Sequence, residues 1–297
     1  MITINGTEIT ELKYNGVEIE KAICNGVVVF EERKKNPGDI SIKTSADSIK
    51  LRVTTKDGSP CELWNGAKKI AEMQSGTHQT VSIPNNAEEI LIKGKDIQGL
   101  DCPNNRLTAL DVSGCTSLQR LECYNNQLTA FDVSGCTRLQ RLHCDRNQIT
   151  SLNISGCTSL QHLYCYYNQL TTLNVSGLTS LEVLECYRNR LTTLNASGCT
   201  SLKRLVCFNN QLTSLAVSDL TSLQWLDCSN NKLSAEVFKK LFEDLPERKE
   251  KDGRVLLYKD GDSNYKDFPQ PPELAAAFKA AKEKGWKFYK NNWSTEI

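Results

Sequence analysis

The chain has 297 residues, 39% hydrophobic and 24% charged, a composition that fits a folded globular protein rather than a disordered one. Its 36 lysines and arginines nearly balance 35 aspartates and glutamates, and this net charge of +1 predicts no nucleic-acid partner. No apolar stretch approaches the roughly 20 residues of a membrane-spanning helix, so no membrane insertion is expected.

Asn-Gly pairs punctuate the first residues, and 1–33 is predicted to form an N-terminal β meander. The pairs recur ten residues apart, at 5–6, 15–16 and 25–26, between apolar-rich segments. Asn-Gly favours a tight hairpin turn because both of its residues tolerate positive φ. The predicted strands lie near 1–4, 7–14, 17–24 and 27–32. The segment loosely resembles the short NGV modules at the N-termini of phage tail-associated and prophage proteins.

Residues 40–96 are predicted to form a small β module that serves as an N-terminal cap. Turn residues at 56–58, 65–66 and 84–86 separate its short β-prone segments. Such a module would cover the first strand of the region that follows, whose apolar edge needs protection. The predicted strands lie near 40–43, 49–55, 61–64, 67–73, 79–83 and 89–93.

Cysteines spaced 21 residues apart mark an internal repeat over 97–233. With the cysteine counted as position 6, position 4 is always leucine, position 9 asparagine, and position 11 leucine or isoleucine. We predict short strands at positions 3–5, paired in parallel about 4.8 Å apart. The asparagine is expected at the following bend, where its amide satisfies backbone groups. The repeat cysteines are Cys102, Cys123, Cys144, Cys165, Cys186, Cys207 and Cys228.

The consensus L-x-x-L-x-C-x-x-N-x-L-T is that of a leucine-rich repeat with cysteine in place of the third leucine. It resembles the cysteine-ladder repeats of the internalin J type, found in surface and secreted proteins of several bacteria. The predicted fold class is α/β, a solenoid of 21-residue leucine-rich repeats with a parallel β concave face. The resemblance implies a curved binding solenoid without catalysis.

The repeat cysteines have two interpretations: metal or redox chemistry, and packing as a ladder of small apolar side chains. Packing is favoured because no C-x-x-C pair occurs, and because Leu178 and Leu220 replace cysteine in a second recurring row. Cys144 follows His143, the arrangement of a catalytic pair. Every repeat has a cysteine there, however, so we expect a core residue, no enzyme, no metal and no cofactor.

The repeat ends after Asn231, and 234–297 is predicted to form an α/β C-terminal cap. Ser234 is a good N-cap for a helix over 235–245, where apolar residues recur at helical spacing. Pro272 opens a second helix that Gly285 ends. The other predicted elements are a strand over 254–258, the second helix over 272–284 and a strand over 286–289.

Side chains at repeat positions 3, 5, 7 and 8 alternate with or flank the buried leucine and cysteine, so they are expected on the concave face. Seven of the eight aromatic residues between 97 and 233 fall at these positions. Clustered aromatics with interleaved arginines are typical of binding sites, although stacking between neighbouring strands is an alternative reason for them. The predicted ligand-binding residues are Arg120, Tyr124, Arg141, His143, Tyr164, Tyr166, Tyr187, Arg204, Phe208 and Trp225.

The sequence therefore predicts a recognition protein that binds a protein or a cell-surface glycan, since aromatic rings also stack on sugars, with a role in bacterial or phage adhesion. The alternative is a structural subunit of a virion or tail, whose solenoid packs against sister subunits. The N-terminal residues lack the basic start and apolar core of a secretory signal. This predicts a cytoplasmic or virion-associated location, whereas the repeat family suggests cell-surface contact.

Overall fold

The computed structural model describes residues 35–85, 87 and 89–297, together with the backbone of short strands between Thr3 and Glu31. Those strands pair as antiparallel hairpins, each ladder closing across one Asn-Gly pair. The other residues of the predicted meander lie outside the described part of the chain. The strands are Thr3–Ile4 (β1), Thr7–Glu8 (β2), Lys13–Tyr14 (β3), Val17–Glu18 (β4), Lys21–Cys24 (β5) and Val27–Glu31 (β6).

The β module has strands at the predicted places, with each bound within one residue of the prediction. Alternation of buried and accessible side chains along its longest strand, Ser48–Thr55, is that of a sheet with one face on a core. Its strands are Ile40–Thr44 (β7), Ser48–Thr55 (β8), Cys61–Asn65 (β9), Lys68–Met73 (β10), Gln79–Ser82 (β11) and Ile90–Lys93 (β12).

Each repeat contributes one strand to a long parallel sheet in which positions 3–5 of successive repeats are paired in register, as predicted. The strands of this long sheet are Ile97–Asp101 (β13), Arg120–Glu122 (β15), Arg141–His143 (β17), His162–Tyr164 (β19), Val183–Glu185 (β21), Arg204–Val206 (β23) and Trp225–Asp227 (β24). Further strands that the sequence did not predict lie at positions 13–15, and the first of them begins at position 11. They are Leu107–Asp111 (β14), Ala130–Asp132 (β16), Ser151–Asn153 (β18), Thr172–Asn174 (β20) and Thr193–Asn195 (β22).

The β module covers the first repeat on both sides. Strand β8 pairs antiparallel with β13 at the start of the long sheet, and β7 pairs antiparallel with β14. Both first strands of the solenoid are therefore hydrogen-bonded along the edge that would otherwise be open. The core is also continuous: one cluster of buried hydrophobic residues extends from Ile40 to Phe288. The domain limits at 96/97 and 233/234 stay predictions.

The solenoid interior consists of leucine and cysteine rows. All seven repeat cysteines are fully buried, and the twelve cysteines described are free thiols, as the packing interpretation requires. In the second row, Sγ of Cys157 and Cys199 each lies 3.1 Å from a valine carbonyl oxygen in the preceding repeat. The buried asparagines donate to the carbonyl of the cysteine in their own repeat and to that of the preceding one. The predicted role of this asparagine is confirmed.

The C-terminal cap continues the long sheet. Its elements are Ala235–Asp244 (α1), Gly253–Tyr258 (β25), Pro272–Glu283 (α2), Trp286–Lys290 (β26) and Thr295–Glu296 (β27). Strands β25 and β26 extend the sheet in parallel, and β27 pairs antiparallel with β26 at its end. Ser234 caps α1, with its Oγ accepting from the Val237 N–H. In the described part of the chain, neither helix is long and apolar enough to cross a membrane.

Candidate functional site

All ten predicted binding residues lie on one surface, which we name the sheet face. It comprises the side chains at repeat positions 3, 5 and 7, on the outer side of the long sheet. The register of the strands places equivalent positions of successive repeats side by side. Nine of the ten side chains are half-buried, and only Arg141 is exposed. The aromatic surface is therefore less exposed than the sequence suggested.

Three rings at position 7 form a continuous stack, which we name the aromatic ladder: Tyr166, Tyr187 and Phe208. Ring centroids are 4.5 Å apart in both pairs, and the planes differ by 6° and 9°. Lys259 Nζ lies 5.0 Å from the Phe208 centroid. Each stacked pair contributes about 0.5–1.5 kcal/mol beyond its buried area. The stacking between neighbouring strands that the sequence offered as an alternative is thus present, and the ladder turns ring edges outward.

Trp225, at the C-terminal end of the sheet face, is covered by other residues. Its ring centroid lies 3.9 Å from that of Trp293, which belongs to the cap. The Arg204 guanidinium lies 4.9 Å from the Trp225 centroid, and Arg204 Nε is 2.9 Å from Glu185 Oε1. Trp225 and Arg204 therefore join the solenoid to its cap, a contact that the repeat pattern gave no means to foresee.

At the N-terminal end of the sheet face, Arg120 lies between two acids. Its Nε donates to Glu122 Oε1 at 2.9 Å, and its Nη2 is 3.2 Å from Asp101 Oδ2. Burial raises the pKa of Glu122, but the hydrogen bond and charge of Arg120 outweigh it and hold the pKa below its usual range. Arg141, one repeat further on, makes no ion pair within the described residues. Arg141 is therefore the arginine of the sheet face whose guanidinium is free to pair with a ligand.

His143 and Tyr164 make contact at the centre of the face. Their ring centroids are 4.2 Å apart, and the planes are tilted by 41°. Burial lowers the pKa of His143, so the imidazole is neutral at pH 7. Nε2 of His143 is buried and has no hydrogen-bond partner among the described residues. The predicted residues Tyr124, His143 and Tyr166 line a common cavity beside it.

Position 8 of every repeat has a left-handed backbone, which we name the left-handed row. Asparagine occupies four of the seven positions, and it tolerates this conformation better than other side chains. Asn125 donates to Asn104, and Asn230 donates to Asn209, so neighbouring asparagines also bond to each other. The φ values are Asn104 59°, Asn125 54°, Arg146 52°, Tyr167 51°, Arg188 54°, Asn209 52° and Asn230 51°.

The three central members of the left-handed row are bulky and form an Arg-Tyr-Arg stack. The guanidinium carbons of Arg146 and Arg188 lie 4.9 Å and 4.8 Å from the Tyr167 centroid. Tyr167 is 36% exposed, more than any other large hydrophobic side chain among the described residues. It also contacts Tyr166 and Tyr187 edge-on at 6.0 Å and 5.9 Å. The stack therefore adjoins the aromatic ladder.

The predicted site residues did not include this stack, although the sequence carries a signal for it. Position 8 reads Asn, Asn, Arg, Tyr, Arg, Asn, Asn along the repeats. A run of three departures in the middle of an asparagine row is visible without a structure. Its meaning depends on the left-handed backbone, which the sequence alone did not reveal.

The thiol beside His143 is unsuited to nucleophilic chemistry. Cys144 is fully buried, and burial raises the pKa of its thiol well above the usual range. Such a thiol stays protonated at neutral pH, whereas the thiolate is the reactive form. Within the described residues, no group of three or more His, Cys, Asp or Glu side chains is placed to hold a metal ion.

A family model for leucine-rich repeats, in two copies, matches residues 137–180 and 179–221. No curated protein matches the chain. Among solved structures, the chain is similar to YopM from Yersinia enterocolitica, with 23% identity and a TM-score of 0.44, over 56% of this chain and 38% of that one. A functional domain of InlJ from Listeria monocytogenes, whose title notes a cysteine ladder, matches with 26% identity and a TM-score of 0.26, over 55% and 50%.

An LRR protein of Leptospira interrogans matches with 23% identity and a TM-score of 0.35, over 57% of this chain and 54% of that one. The chain thus spans between about two fifths and just over half of the length of these structures. The repeat match coincides with the 21-residue period, the parallel strands and the buried asparagines described above. The chain therefore folds as a leucine-rich-repeat solenoid.

Proposed function

We propose that the chain is a bacterial recognition protein without catalytic activity, which binds a protein partner through the sheet face and the adjoining Arg-Tyr-Arg stack. Leucine-rich-repeat solenoids are typically protein-interaction modules, because stacked repeats build an extended preformed surface. A rigid surface loses little conformational entropy on association. Adhesion is the setting proposed for this activity.

The left-handed backbone beneath the stack is the observation that carries the proposal. A left-handed residue other than glycine costs roughly 1–2 kcal/mol, and asparagine offsets part of this cost by local hydrogen bonding. Each cation–π contact at an exposed site returns only about 0.5–1 kcal/mol. Arg146, Tyr167 and Arg188 thus stand where asparagine would suit the fold better. Strain kept at an exposed surface is typical of functional sites.

The exposed chemistry favours a protein over a glycan. Sugar rings stack on open aromatic faces, but in the aromatic ladder Tyr187 is covered on both faces by its neighbours, and Lys259 Nζ lies over the Phe208 ring. One face of Tyr166 remains open in the ladder. Both arginines of the stack lie over Tyr167. Ring edges, tyrosine hydroxyls and guanidinium groups remain on the surface. Tyrosine and arginine are the residues that dominate binding energy at protein interfaces.

Affinity capture from cell extracts, quantified by mass spectrometry, tests the proposal. The baits are the wild type, the triple variant Arg146→Asn/Tyr167→Asn/Arg188→Asn, and Arg138→Asn, which changes an exposed arginine outside the sheet face and the left-handed row. The wild type and Arg138→Asn should retain the same proteins. The triple variant should retain at least about tenfold less, since it removes three contacts of the kind that dominate interfaces. Equal capture by all three baits would refute the proposal.

Two parallel measurements separate the alternatives. Binding to a glycan panel that the triple variant loses would assign the face to a sugar ligand. A concentration-dependent oligomer in sedimentation, dissociated by the triple variant, would instead support the structural subunit of a virion or tail. A virion or tail subunit would also agree with the resemblance of residues 1–33 to phage tail-associated modules.

A further inference from the structure

Between Tyr124 and Phe208, position 7 carries an aromatic ring in every repeat but one. At position 7, Asp145 stands between Tyr124 in the preceding repeat and Tyr166 in the following one. Because the three strands are in register, the two tyrosines lie two strand spacings apart, about 10 Å. A cavity of about 530 Å³ fills this gap, lined by Tyr124, Asp145 and Tyr166 together with Glu122, His143 and Arg146.

Polar atoms in the gap lack partners. Asp145 Oδ1 and His143 Nε2 are two of the three buried side-chain nitrogen or oxygen atoms without a hydrogen bond among the described residues. Asp145 is only 2% exposed, and burial raises its pKa, although a hydrogen bond with Tyr166 opposes the shift. A buried group left unsatisfied costs about 1–3 kcal/mol. A ligand that donates hydrogen bonds to Asp145 would remove that cost.

The walls of the gap define the shape of the ligand. One face of the Tyr166 ring is stacked on Tyr187 at 4.5 Å, so its other face is turned towards the gap. A gap two strand spacings wide accommodates one planar group between its walls at about the spacing of the ladder. The ligand should therefore be planar, and it should carry donors along its edge.

We infer that the gap binds the guanidinium of an arginine from the partner protein, stacked between Tyr124 and Tyr166 with its N–H groups donating to Asp145. Guanidinium is planar, stacks on aromatic rings and pairs with carboxylates through two parallel hydrogen bonds. A lysine ammonium cannot stack as a plane, and a neutral ring leaves the carboxylate unpaired. The inference rests on the proposed function only for the source of the arginine.

The chain's own arginines leave the gap free. Arg146 lines the cavity, but its guanidinium lies over Tyr167 on the outer side. Arg120 is paired with Glu122 and Asp101. Within the described residues, Asp145 makes no salt bridge. The buried carboxylate therefore has no cationic partner within the described part of the chain.

Titration of the full-length protein with N-acetyl-arginine amide, followed by NMR at low ionic strength, tests the inference. N-acetyl-lysine amide keeps the charge without the plane, and N-acetyl-citrulline amide keeps the plane without the charge. The arginine derivative should bind at least about tenfold more tightly than either, a difference of about 1.4 kcal/mol. Equal binding of the three compounds, or no saturable binding of the arginine derivative, would overturn it.

Matched variants locate the binding. Asp145→Asn should weaken arginine binding at least about tenfold, and Tyr124→Leu, which removes one wall, should also weaken it. Asp132→Asn, at the exposed end of β16 and outside the sheet face, should bind as the wild type does. Retained affinity in Asp145→Asn would overturn the assignment. If the arginine derivative binds but affinity capture fails, the arginine site is supported and the proposed function is refuted. If affinity capture succeeds but the arginine derivative does not bind, the arginine site is refuted and the partner protein binds through other residues.

Discussion

Asn168 joins two repeats through one buried amide. Its Nδ2 donates to the carbonyl oxygens of Cys144 at 3.0 Å and Cys165 at 3.1 Å, and its Oδ1 accepts from Ile149 N–H at 2.9 Å. These backbone groups lie at bends, where no strand partner satisfies them, so the side chain takes the place of a ladder hydrogen bond. One residue type at one position thus decides whether adjacent turns can stack.

Replacing Asn168 by alanine should lower the free energy of unfolding by about 3 kcal/mol, because buried backbone groups lose their partners. Asn174→Ala is the matched control. Its side chain is exposed and accepts one bond from Ser176 N–H, so its loss should cost less than about 1 kcal/mol. Urea denaturation followed by circular dichroism measures both. Similar losses in the two variants would show that a buried position-9 asparagine contributes no more to the free energy of unfolding than an exposed asparagine.

Asp145→Asn should raise stability at pH 7. Burial raises the pKa of Asp145 in the folded state above its unfolded value, so the folded protein pays for a charged carboxylate at pH 7. The wild type is relieved of this cost as the pH falls through the raised folded pKa, and the advantage of the variant should vanish below the unfolded value. Unfolding curves between pH 3 and about 8 measure the difference. An advantage that grows towards low pH would contradict this account.

At the scale of elements, an aromatic cluster packs the helices of the cap against its strand β26. Phe242 of α1 contacts Phe268, Phe278 and Phe288 with ring centroids 5.7 Å, 5.3 Å and 5.1 Å away. The strand that contains Phe288 continues the long sheet. Asn264, in the loop between β25 and α2, donates to the carbonyl of Cys228 at 3.0 Å. It thus continues into the cap the row of buried position-9 asparagines, which we name the asparagine ladder.

Phe242→Ala should lower the free energy of unfolding by about 3–5 kcal/mol, because it leaves a cavity among these three rings. Phe278 belongs to the same cluster but is partly exposed, so Phe278→Ala should cost distinctly less. Differential scanning calorimetry measures both. Equal and small losses would show that the cap is not coupled to the core through Phe242.

At the scale of the molecule, one hydrophobic core runs through the β module, the solenoid and the cap. Both ends of the long sheet finish in antiparallel pairs, β8 with β11 and β26 with β27. All twelve described cysteines lie in this core, and burial raises the pKa of each thiol, for example to about 12 for Cys186. Access to the thiols therefore requires opening of the core.

Alkylation by iodoacetamide, read out by peptide mass spectrometry in increasing urea, should modify the repeat cysteines only as the fold is lost. Protonated, buried thiols do not react with alkylating reagents. The midpoints of modification should coincide for all repeats and match that of circular dichroism. Separate midpoints along the chain would instead indicate that the repeats open one by one, as the near-neighbour contacts of a solenoid allow.

Periodicity predicted the parts of the fold that repeat. The rows of Leu100, Cys102 and Asn105 and their equivalents fixed the strands, the interior and the bends, because each repeat meets the same environment. Strands of the β module were also located correctly from their turn residues. The asparagine ladder beyond the repeats was missed, because Asn264 follows Asn231 by 33 residues and no period points to it.

The candidate site was predicted only in outline. The alternation of side chains along the strands placed the sheet face correctly. Three other features depend on how side chains from different repeats meet: the stacking of rings, the contact of Trp225 with Trp293, and the gap beside Asp145, where no ring is present. The importance of Arg146 and Tyr167 depends on a positive φ, which the asparagines at equivalent positions only hint at. Departures from a repeat consensus are therefore informative where the backbone conformation is known.

Urea unfolding of the wild type and of Arg146→Asn/Tyr167→Asn/Arg188→Asn tests the central claim most directly, since it needs no partner. The claim is that the Arg-Tyr-Arg stack serves to bind a partner protein and lowers the stability of the fold. Relief of three left-handed positions, less two cation–π contacts and the two edge-on ring contacts of Tyr167, predicts a free energy of unfolding at least as high in the variant as in the wild type. A lower free energy of unfolding would show that the stack serves the fold, and it would contradict the account.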